Sequence, residues 1–175
     1  MAKKLHRYLL VDGYNMIFAW EELVKIANDD SLANARKRLC DILCDYQGAK
    51  GQIVIVVFDA HLVEGGLGAV EEYHNITVVY TKEAETADHY IEQTAWTLAK
   101  KDIVTVATSD YLEQVIIIGH GARRMSANDL MEDILYVKKE VEERYEALRP
   151  AKNNPLEGLL DKETARKLDA MRYGR

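Results

Sequence analysis

The sequence predicts an α/β protein built as a three-layer α/β/α sandwich around a mostly parallel central sheet. Short apolar runs rich in β-branched residues alternate with longer segments of helical periodicity, which is typical of parallel strands joined by right-handed helical crossovers. The run at residues 53–58 is apolar without alternation, as expected of a strand buried on both faces. At 175 residues, 48% of them hydrophobic and 30% charged, the chain fits one globular domain with a short tail.

Four apolar runs are predicted to be strands of this sheet. They are residues 8–11, 53–58, 76–80 and 103–108. A further extended piece is expected around residues 122–125. The order of the strands is left open, since spacing along the chain does not determine it.

Five helices are predicted from helical periodicity or from polar residues at the start of a segment. Their spans are about 31–46, 86–100, 111–118, 126–148 and 161–171. Ser31, Thr86 and Ser126 each stand at the start of one of these segments, where a hydroxyl side chain can accept a hydrogen bond from the first turn. Both tryptophans, Trp20 and Trp96, are interpreted as core residues.

Charge and composition exclude several classes of protein. A net charge of −6 argues against broad, non-specific binding to free nucleic acid, although an enzyme that meets its RNA within a larger assembly stays open. No run of about 18 apolar residues occurs, so no membrane span is predicted. Cys40 and Cys44 lack partners at zinc spacing and are interpreted as core thiols of a reducing compartment, with the cytoplasm as the default location.

Aspartates follow three of the predicted strands. Asp12 and Asp59 come directly after apolar runs, and Asp110 follows a third run by two residues. Because the carboxyl ends of parallel strands meet at one edge of a sheet, these carboxylates are expected to lie near one another. Asp88 stands in the first turn of the helix after the third strand, which places it at the same edge.

Four carboxylates gathered in one place predict a divalent cation. Such groups repel one another and raise one another's pKa values, and a bound cation offsets that repulsion. Oxygen ligands without histidine or cysteine favour Mg²⁺ or Mn²⁺ over zinc. Such an ion can position and deprotonate water and stabilise charge on a phosphate, which is the chemistry of phosphodiester hydrolysis. For any single aspartate the alternative is an ordinary helix N-cap or turn residue.

Two residues beside Asp12 have open roles. Asn15 could orient the Asp12 carboxylate or contact a phosphate, and local turn hydrogen bonding is the equal alternative. Gly13 suits a tight backbone path at the edge of the sheet, although a plain turn glycine would look the same.

Five residues are candidates for contact with RNA. Lys82 and the adjacent pair Arg123 and Arg124 could bind phosphates, with a solvated surface position as the alternative. Tyr14 and Tyr111 stand next to acidic motif residues and could stack on a base, although core packing is expected for at least one of them.

Four short motifs carry these acidic residues. They are Leu10-Val11-Asp12-Gly13-Tyr14-Asn15, Val57-Phe58-Asp59-Ala60, Glu85-Thr86-Ala87-Asp88 and Thr108-Ser109-Asp110-Tyr111. In this order they resemble the YacP-like branch of the NYN domain family, which belongs to the PIN-like nucleases. The resemblance runs from about Leu9 to Leu148. The His89-Tyr90 pair departs from the more charged residues expected in relatives, which leaves the details of substrate contact open.

The resemblance implies a PIN-like (NYN) nuclease domain over residues 1–149. The sequence pattern predicts a linker and a short C-terminal helix over residues 150–175. The resemblance also implies metal-dependent endoribonuclease activity, with Asn15 beside the matching acidic positions Asp12, Asp59, Asp88 and Asp110. Bacterial members of this branch resemble ribosome-associated nucleases that cut mRNA during translation. The expected partners are therefore RNA and the ribosome, whose affinity for the protein would offset its acidic charge.

Alternative functions stay open at this stage. A catalytically silent module of the same fold could dock on RNA or on the ribosome without cutting. An aspartyl-phosphate phosphotransferase or phosphatase usually has a second aspartate two residues after the first, where this chain has Tyr14. A receiver-type signalling domain would have adjacent acidic residues after its first strand, and a dinucleotide site would have glycine spacing that the segment after Asp12 lacks.

Overall fold

A computed structural model describes residues 5–60, 68–110 and 121–149. The chain divides into two compact units, Met1–Lys139 and Glu140–Arg175. The whole sheet lies in the first unit. The second is described only as far as residue 149.

The described residues form one mixed, mostly parallel sheet of six strands in the order β3-β4-β2-β1-β5-β6. All neighbouring strands pair in parallel except β3 and β4, which form an antiparallel pair at one edge. The strands are β1 (Arg7–Asp12), β2 (Ile53–Phe58), β3 (Ala69–Tyr73), β4 (Ile76–Tyr80), β5 (Ile103–Ala107) and β6 (Arg123–Met125).

Five helices are described around this sheet. They are α1 (Gly13–Ala19), α2 (Glu21–Asp29), α3 (Leu32–Lys50), α4 (Ala87–Ala99) and α5 (Ala127–Leu148). The predicted caps are confirmed: Ser31 accepts a hydrogen bond from Asn34 N–H, and Thr86 accepts one from His89 N–H. At the start of α5, Ser126 and Asp129 cap each other's backbone N–H groups reciprocally.

The predicted three-layer α/β/α arrangement is confirmed by burial on both faces of the sheet. Alternate residues of the central strand enter different cores, with Leu9 and Val11 in one and Leu10 in the other. Helices α1, α2, α3 and α5 cover the first core, while α4 covers the second through Ala87, Ile91 and Ala95. Because both faces of the sheet are covered, strand β2 is apolar throughout, as its sequence predicted.

Three elements were not predicted from the sequence. Helices α1 and α2 occupy the stretch between the first strand and Ser31, and α1 begins at the residue directly after Asp12. Strand β3 was not predicted because its side chains are mostly exposed, so its sequence lacks the apolar pattern of a buried strand.

The two tryptophans differ in burial. Trp20 is buried, and its indole N–H donates to the carbonyl of Ala127 at 2.9 Å, which confirms it as a core residue. The interpretation of Trp96 as core is wrong, because 51% of it is exposed. On α4 the buried side faces the sheet through Ile91 and Ala95, and Trp96 lies outside it with the Lys100 Nζ 3.4 Å from its ring centroid.

Some predicted features lie outside the described residues. They are the helix at 111–118, with Tyr111 at its start, and the linker and helix within 150–175. Within the described part of the chain, no helix is long and apolar enough to cross a membrane.

Candidate metal centre

The strand order brings three aspartates to one stretch of the sheet edge. Strand β1 is central, with β2 on one side and β5 on the other. Asp12 ends β1 and pairs with Val57 of β2, so Asp59 lies two residues past the partner of Asp12. Asp110 lies three residues past Ala107, the β5 partner of Val11. Strands that follow β1 in the chain lie on both sides of it, so the direction of strand addition switches at β1. Open α/β sheets bind ligands at such a switch point.

Helix α4 carries Asp88 to the same edge. Its first turn contains Asp88, and the N–H of Ala87 donates to Asp59 Oδ2 at 3.4 Å. The end of β2 is also held by Thr81. The Thr81 N–H donates to the Phe58 carbonyl, and the Thr81 hydroxyl accepts the Ala60 N–H. The start of α4 is therefore attached directly to the end of β2.

Asp12 is the most perturbed carboxylate of this group. Burial raises its pKa from 3.8 to about 6, against the lowering effect of the hydrogen bond from Asn15 N–H. The negative charges of Asp88, Asp59 and Asp110 raise the pKa of Asp12 further. Asp12 is thus a desolvated acid that faces three other acidic groups.

Asp88 is affected by the same surroundings. Burial raises its pKa, and the charges of Asp110 and Asp59 raise it further. The four predicted residues are therefore close enough to act on one another electrostatically, although they come from four separate segments of the chain. A cation placed among them would relieve both the repulsion and the loss of hydration.

The donor chemistry fits a hard divalent cation. All four side chains offer carboxylate oxygens, which suit Mg²⁺ or Mn²⁺. Across residues 5–60, 68–110 and 121–149, no group of three or more His, Cys, Asp or Glu side chains is placed so that it could hold a metal ion. Mg²⁺ commonly keeps several waters and binds through one or two carboxylates, so it does not require three protein ligands in one group.

Asn15 connects two of the motifs. Its backbone N–H donates to Asp12 Oδ1 at 3.1 Å, while its side-chain Oδ1 accepts the Ser109 N–H at 2.8 Å. The first bond is the local helix cap, and the second is a contact across 94 residues that holds the loop before Asp110. Asn15 therefore orients acidic residues on both β1 and the loop after β5.

Thr108 and Ser109 complete the support of Asp110. The Thr108 hydroxyl accepts the Asp110 N–H at 3.1 Å, and the Ser109 hydroxyl accepts the Ala127 N–H at 3.2 Å. The Thr108 N–H donates to the Met125 carbonyl at the end of β6. This role of Thr108 and Ser109 was not predicted from the sequence, where the only signal is a pair of hydroxyl residues directly before a candidate aspartate.

Gly13 and Tyr14 have structural roles beside the site. A Cβ on Gly13 would lie 2.2 Å from Phe58 Cε1, so close approach of the α1 backbone to that ring explains the glycine. Tyr14 is only 6% exposed, its ring meets Phe58 edge-on, and its hydroxyl accepts a hydrogen bond from Arg36. The prediction that Tyr14 could stack on a base is wrong, because the ring is buried and no face of it is accessible to a base.

The other candidate RNA contacts are spread around the domain. Lys82 is exposed two residues after β4, in the turn that leads to α4. Arg123 and Arg124 are exposed on the edge strand β6, where they pair with Thr105 and Val106 of β5. The two arginines therefore lie before Met125, the last residue of β6. Tyr111 is outside the described residues.

A match to a family model covers nearly the whole chain. The model of the YacP-like NYN domain matches residues 9–173. The uncharacterized protein YacP of Bacillus subtilis (strain 168) is 47% identical over 139 residues, which cover 78% of this chain and 79% of that protein.

Solved structures agree with this match. The crystal structure of a mutant of Rae1 (YacP) from Bacillus subtilis is similar with a TM-score of 0.71 at 39% identity, covering 94% of this chain and 99% of that chain. A second crystal structure of Rae1 (YacP) has a TM-score of 0.69 at 38% identity, covering 98% and 96%. The fold and the sequence therefore place this chain in the YacP-like NYN domain family, a nuclease-type family with the PIN-like fold.

Proposed function

We propose that this protein is a divalent-metal-dependent endoribonuclease that hydrolyses phosphodiester bonds in RNA. The observation that carries the proposal is the state of Asp12, which is partly buried at the sheet edge among Asp59, Asp88 and Asp110, with its pKa raised to about 6. A perturbed acid surrounded by further acids at the edge where such sheets bind ligands is a mark of a functional site. Membership of a nuclease-type family makes hydrolysis of nucleic acid the fitting reaction.

The four aspartates are the proposed metal ligands. Asp12, Asp88 and Asp110 would hold Mg²⁺ or Mn²⁺, with Asp59 bound directly or through water. The cation would supply positive charge to offset the negative charge that builds on the phosphate during hydrolysis.

The chain's own residues have two kinds of task in this proposal. Asn15 is a positioning residue, because its hydrogen bonds fix Asp12 and the loop before Asp110. Three exposed cations, Lys82, Arg123 and Arg124, would bind phosphates of the RNA backbone outside the acidic group. No covalent enzyme intermediate is required.

The proposed substrate is mRNA in association with the ribosome, in the cytoplasm. The net charge of −6 supports this, because a protein of that charge gains little from general attraction to free RNA. A ribosome-bound enzyme would obtain its affinity from the assembly and would need few cations of its own. The resemblance of the four acidic motifs to ribosome-associated nucleases points in the same direction.

One experiment tests both parts of the proposal. A defined mRNA is incubated with wild type and with Asp88→Asn, once free and once in a translating extract, with Mn²⁺ and then with EDTA. We expect cleavage by wild type that is lost with the chelator and with the variant. Cleavage that requires translation would establish the ribosome as an obligatory partner.

The negative results of this experiment are equally informative. If wild type and Asp88→Asn give the same products, the aspartate site does not perform the cleavage. If no metal-dependent product forms in either setting, the alternative is a catalytically silent module that binds RNA or the ribosome. Binding of wild type to ribosomes in the same extract would then support that alternative.

A further inference from the structure

Phe18 is an exposed aromatic residue on the helix that begins at the candidate metal centre. It is 58% exposed and lies in the last turn of α1, the helix that Asp12 caps. By the helical rise, Phe18 stands roughly 9 Å along the axis from Asp12. A single exposed apolar side chain is common on protein surfaces, so exposure alone assigns no role. The packing of its ring gives the further evidence.

The ring of Phe18 lies against the ring of Tyr14. Tyr14 stands four residues earlier on α1, and the two rings lie nearly parallel, with centroids 6.1 Å apart and planes at 20°. Tyr14 is itself fixed by edge-on contact with Phe58, at 5.3 Å and 66°, and by the 2.9 Å hydrogen bond from Arg36. An aromatic column thus leads from the core strand β2 to the surface at Phe18.

This column starts at the candidate site. Phe58 is the residue directly before Asp59, so the column and the acidic group share the end of β2. Tyr14 contacts both Phe58 and Phe18, so Phe18 is the outermost ring of the column.

The charge of the site makes a stacking contact useful. Four aspartates repel a phosphate backbone, and the whole chain carries −6. Stacking of a base on an aromatic ring does not depend on the sign of nearby charge and tolerates every base, since each has a π-face. A ring that is already held by Tyr14 loses little conformational freedom when a base arrives.

We propose that Phe18 is a base-stacking platform that holds one unpaired base of single-stranded RNA beside the aspartate group. This inference rests on the proposed nuclease function and names a residue that would contact the substrate. Tyr14 is the positioning residue behind the platform, and Arg36 positions Tyr14. Because a base inside a duplex is already stacked and paired, single-stranded segments are the preferred substrate.

The test compares four residues at position 18. Wild type, Phe18→Ala, Phe18→Leu and Phe18→Trp are assayed for cleavage of a short single-stranded RNA, giving kcat and KM. Binding of an RNA that carries 2-aminopurine is measured in the Asp88→Asn background, where base stacking quenches the fluorescence. Leu135→Ala is the matched control, because Leu135 is 56% exposed on α5 and has no aromatic ring.

We expect weaker binding and higher KM for the variants without a ring. A stacked base contributes about 1–3 kcal/mol, which corresponds to a change of about 5- to 150-fold. Phe18→Ala and Phe18→Leu should show this loss together with loss of 2-aminopurine quenching, while kcat changes little. Phe18→Trp should restore both readouts. Leu135→Ala should match wild type, and thermal midpoints should show that all the variants fold.

The outcomes separate this inference from the proposed function. If wild type cleaves RNA and Phe18→Ala binds and cleaves equally well, the platform is refuted and the nuclease proposal stands. If Phe18→Leu performs as well as Phe18→Trp, the contact is not aromatic stacking and the inference fails. If wild type shows no metal-dependent cleavage of either the short RNA or an mRNA in a translating extract, the nuclease proposal fails, and quenching that depends on Phe18 would still support the platform. Absence of RNA binding in every variant, wild type included, would refute the platform.

Discussion

Replacement of Asp12 by asparagine should make the metal-free protein more stable at neutral pH. Asparagine has nearly the same shape and is an equally good N-cap, so the hydrogen bond from Asn15 N–H to the side-chain oxygen can persist. The substitution removes only the negative charge, which burial and three neighbouring aspartates disfavour. A residue kept for activity at the expense of stability is expected at a functional site.

The size of the effect follows from the pKa of Asp12. That pKa is about 6 in the folded protein against 3.8 for an ordinary aspartate, a rise of about 2 units. Each unit corresponds to about 1.4 kcal/mol, so the charged form costs the folded state about 3 kcal/mol. The folded state binds the proton more tightly, and therefore this penalty is small below pH 4, grows as the pH rises towards 6, and is complete above it.

Urea unfolding in EDTA measures this difference. Asp12→Asn should exceed wild type in free energy of unfolding by about 3 kcal/mol at pH 7.5 and by only about 1 kcal/mol at pH 4.5. Equal stabilities at pH 7.5, or a gain that is the same at both pH values, would refute the assignment of a partly buried, repelled carboxylate. The comparison uses the difference between two proteins, so the titration of groups that do not interact with Asp12 cancels.

Asp133 supplies a control of opposite sign. Burial raises its pKa, but hydrogen bonds from Lys50 and Tyr46 outweigh burial and lower the pKa overall. Asp133→Asn should therefore destabilise the protein at pH 7.5, and the loss should shrink as the pH falls and the wild-type carboxylate becomes protonated.

Two further substitutions test the supports of the site. Gly13→Ala would place a methyl group 2.2 Å from a carbon of the Phe58 ring, so we expect a loss of about 1–3 kcal/mol in thermal or urea unfolding. Asn15→Ala removes the acceptor for the Ser109 N–H and loosens the loop before Asp110. We expect kcat for RNA cleavage to fall by about 10- to 100-fold, as for other residues that orient metal ligands, with little change in KM.

Each of these variants has a matched control in α3. Gly48 is a helical glycine whose nearest neighbour to an added Cβ is 3.8 Å away, so Gly48→Ala should stabilise by about 0.5–1 kcal/mol. Asn34 stands three residues after its N-cap, as Asn15 does, and Asn34→Ala should leave kcat unchanged. A stable Gly13→Ala protein would contradict the close approach to Phe58, and equal kcat for the two asparagine variants would contradict the positioning role.

The elements that the sequence predicted are those whose burial leaves a local pattern. Strand β2 is an unbroken apolar run because both of its faces are covered, and α3 and α4 begin at hydroxyl caps. Strand β3 leaves no such pattern, since it is an exposed edge strand that pairs with β4 alone among the described strands. Trp96 was wrongly predicted to be a core residue. It is one position after the buried Ala95 on α4, and helical position decides burial more strongly than residue type.

The candidate site was predictable to the extent that topology alone builds it. Any parallel sheet delivers the residues after its strands to one edge, so Asp12, Asp59 and Asp110 could be grouped without knowledge of the strand order. Their supports could not be predicted in this way. The Asn15 hydrogen bond to Ser109 joins residues 94 apart, and such a contact appears only when β1 and β5 become neighbours.

The most direct test of the account is the rate of RNA cleavage as a function of Mn²⁺ concentration for wild type and Asp12→Asn, with Asp29→Asn as a surface control. We predict a rate that rises with Mn²⁺ to saturation in wild type and in Asp29→Asn, since Asp29 is exposed at the end of α2. Asp12→Asn should be at least about 100-fold slower at every concentration. Cleavage by Asp12→Asn at the wild-type rate, or a wild-type rate that does not depend on the metal, would contradict the account.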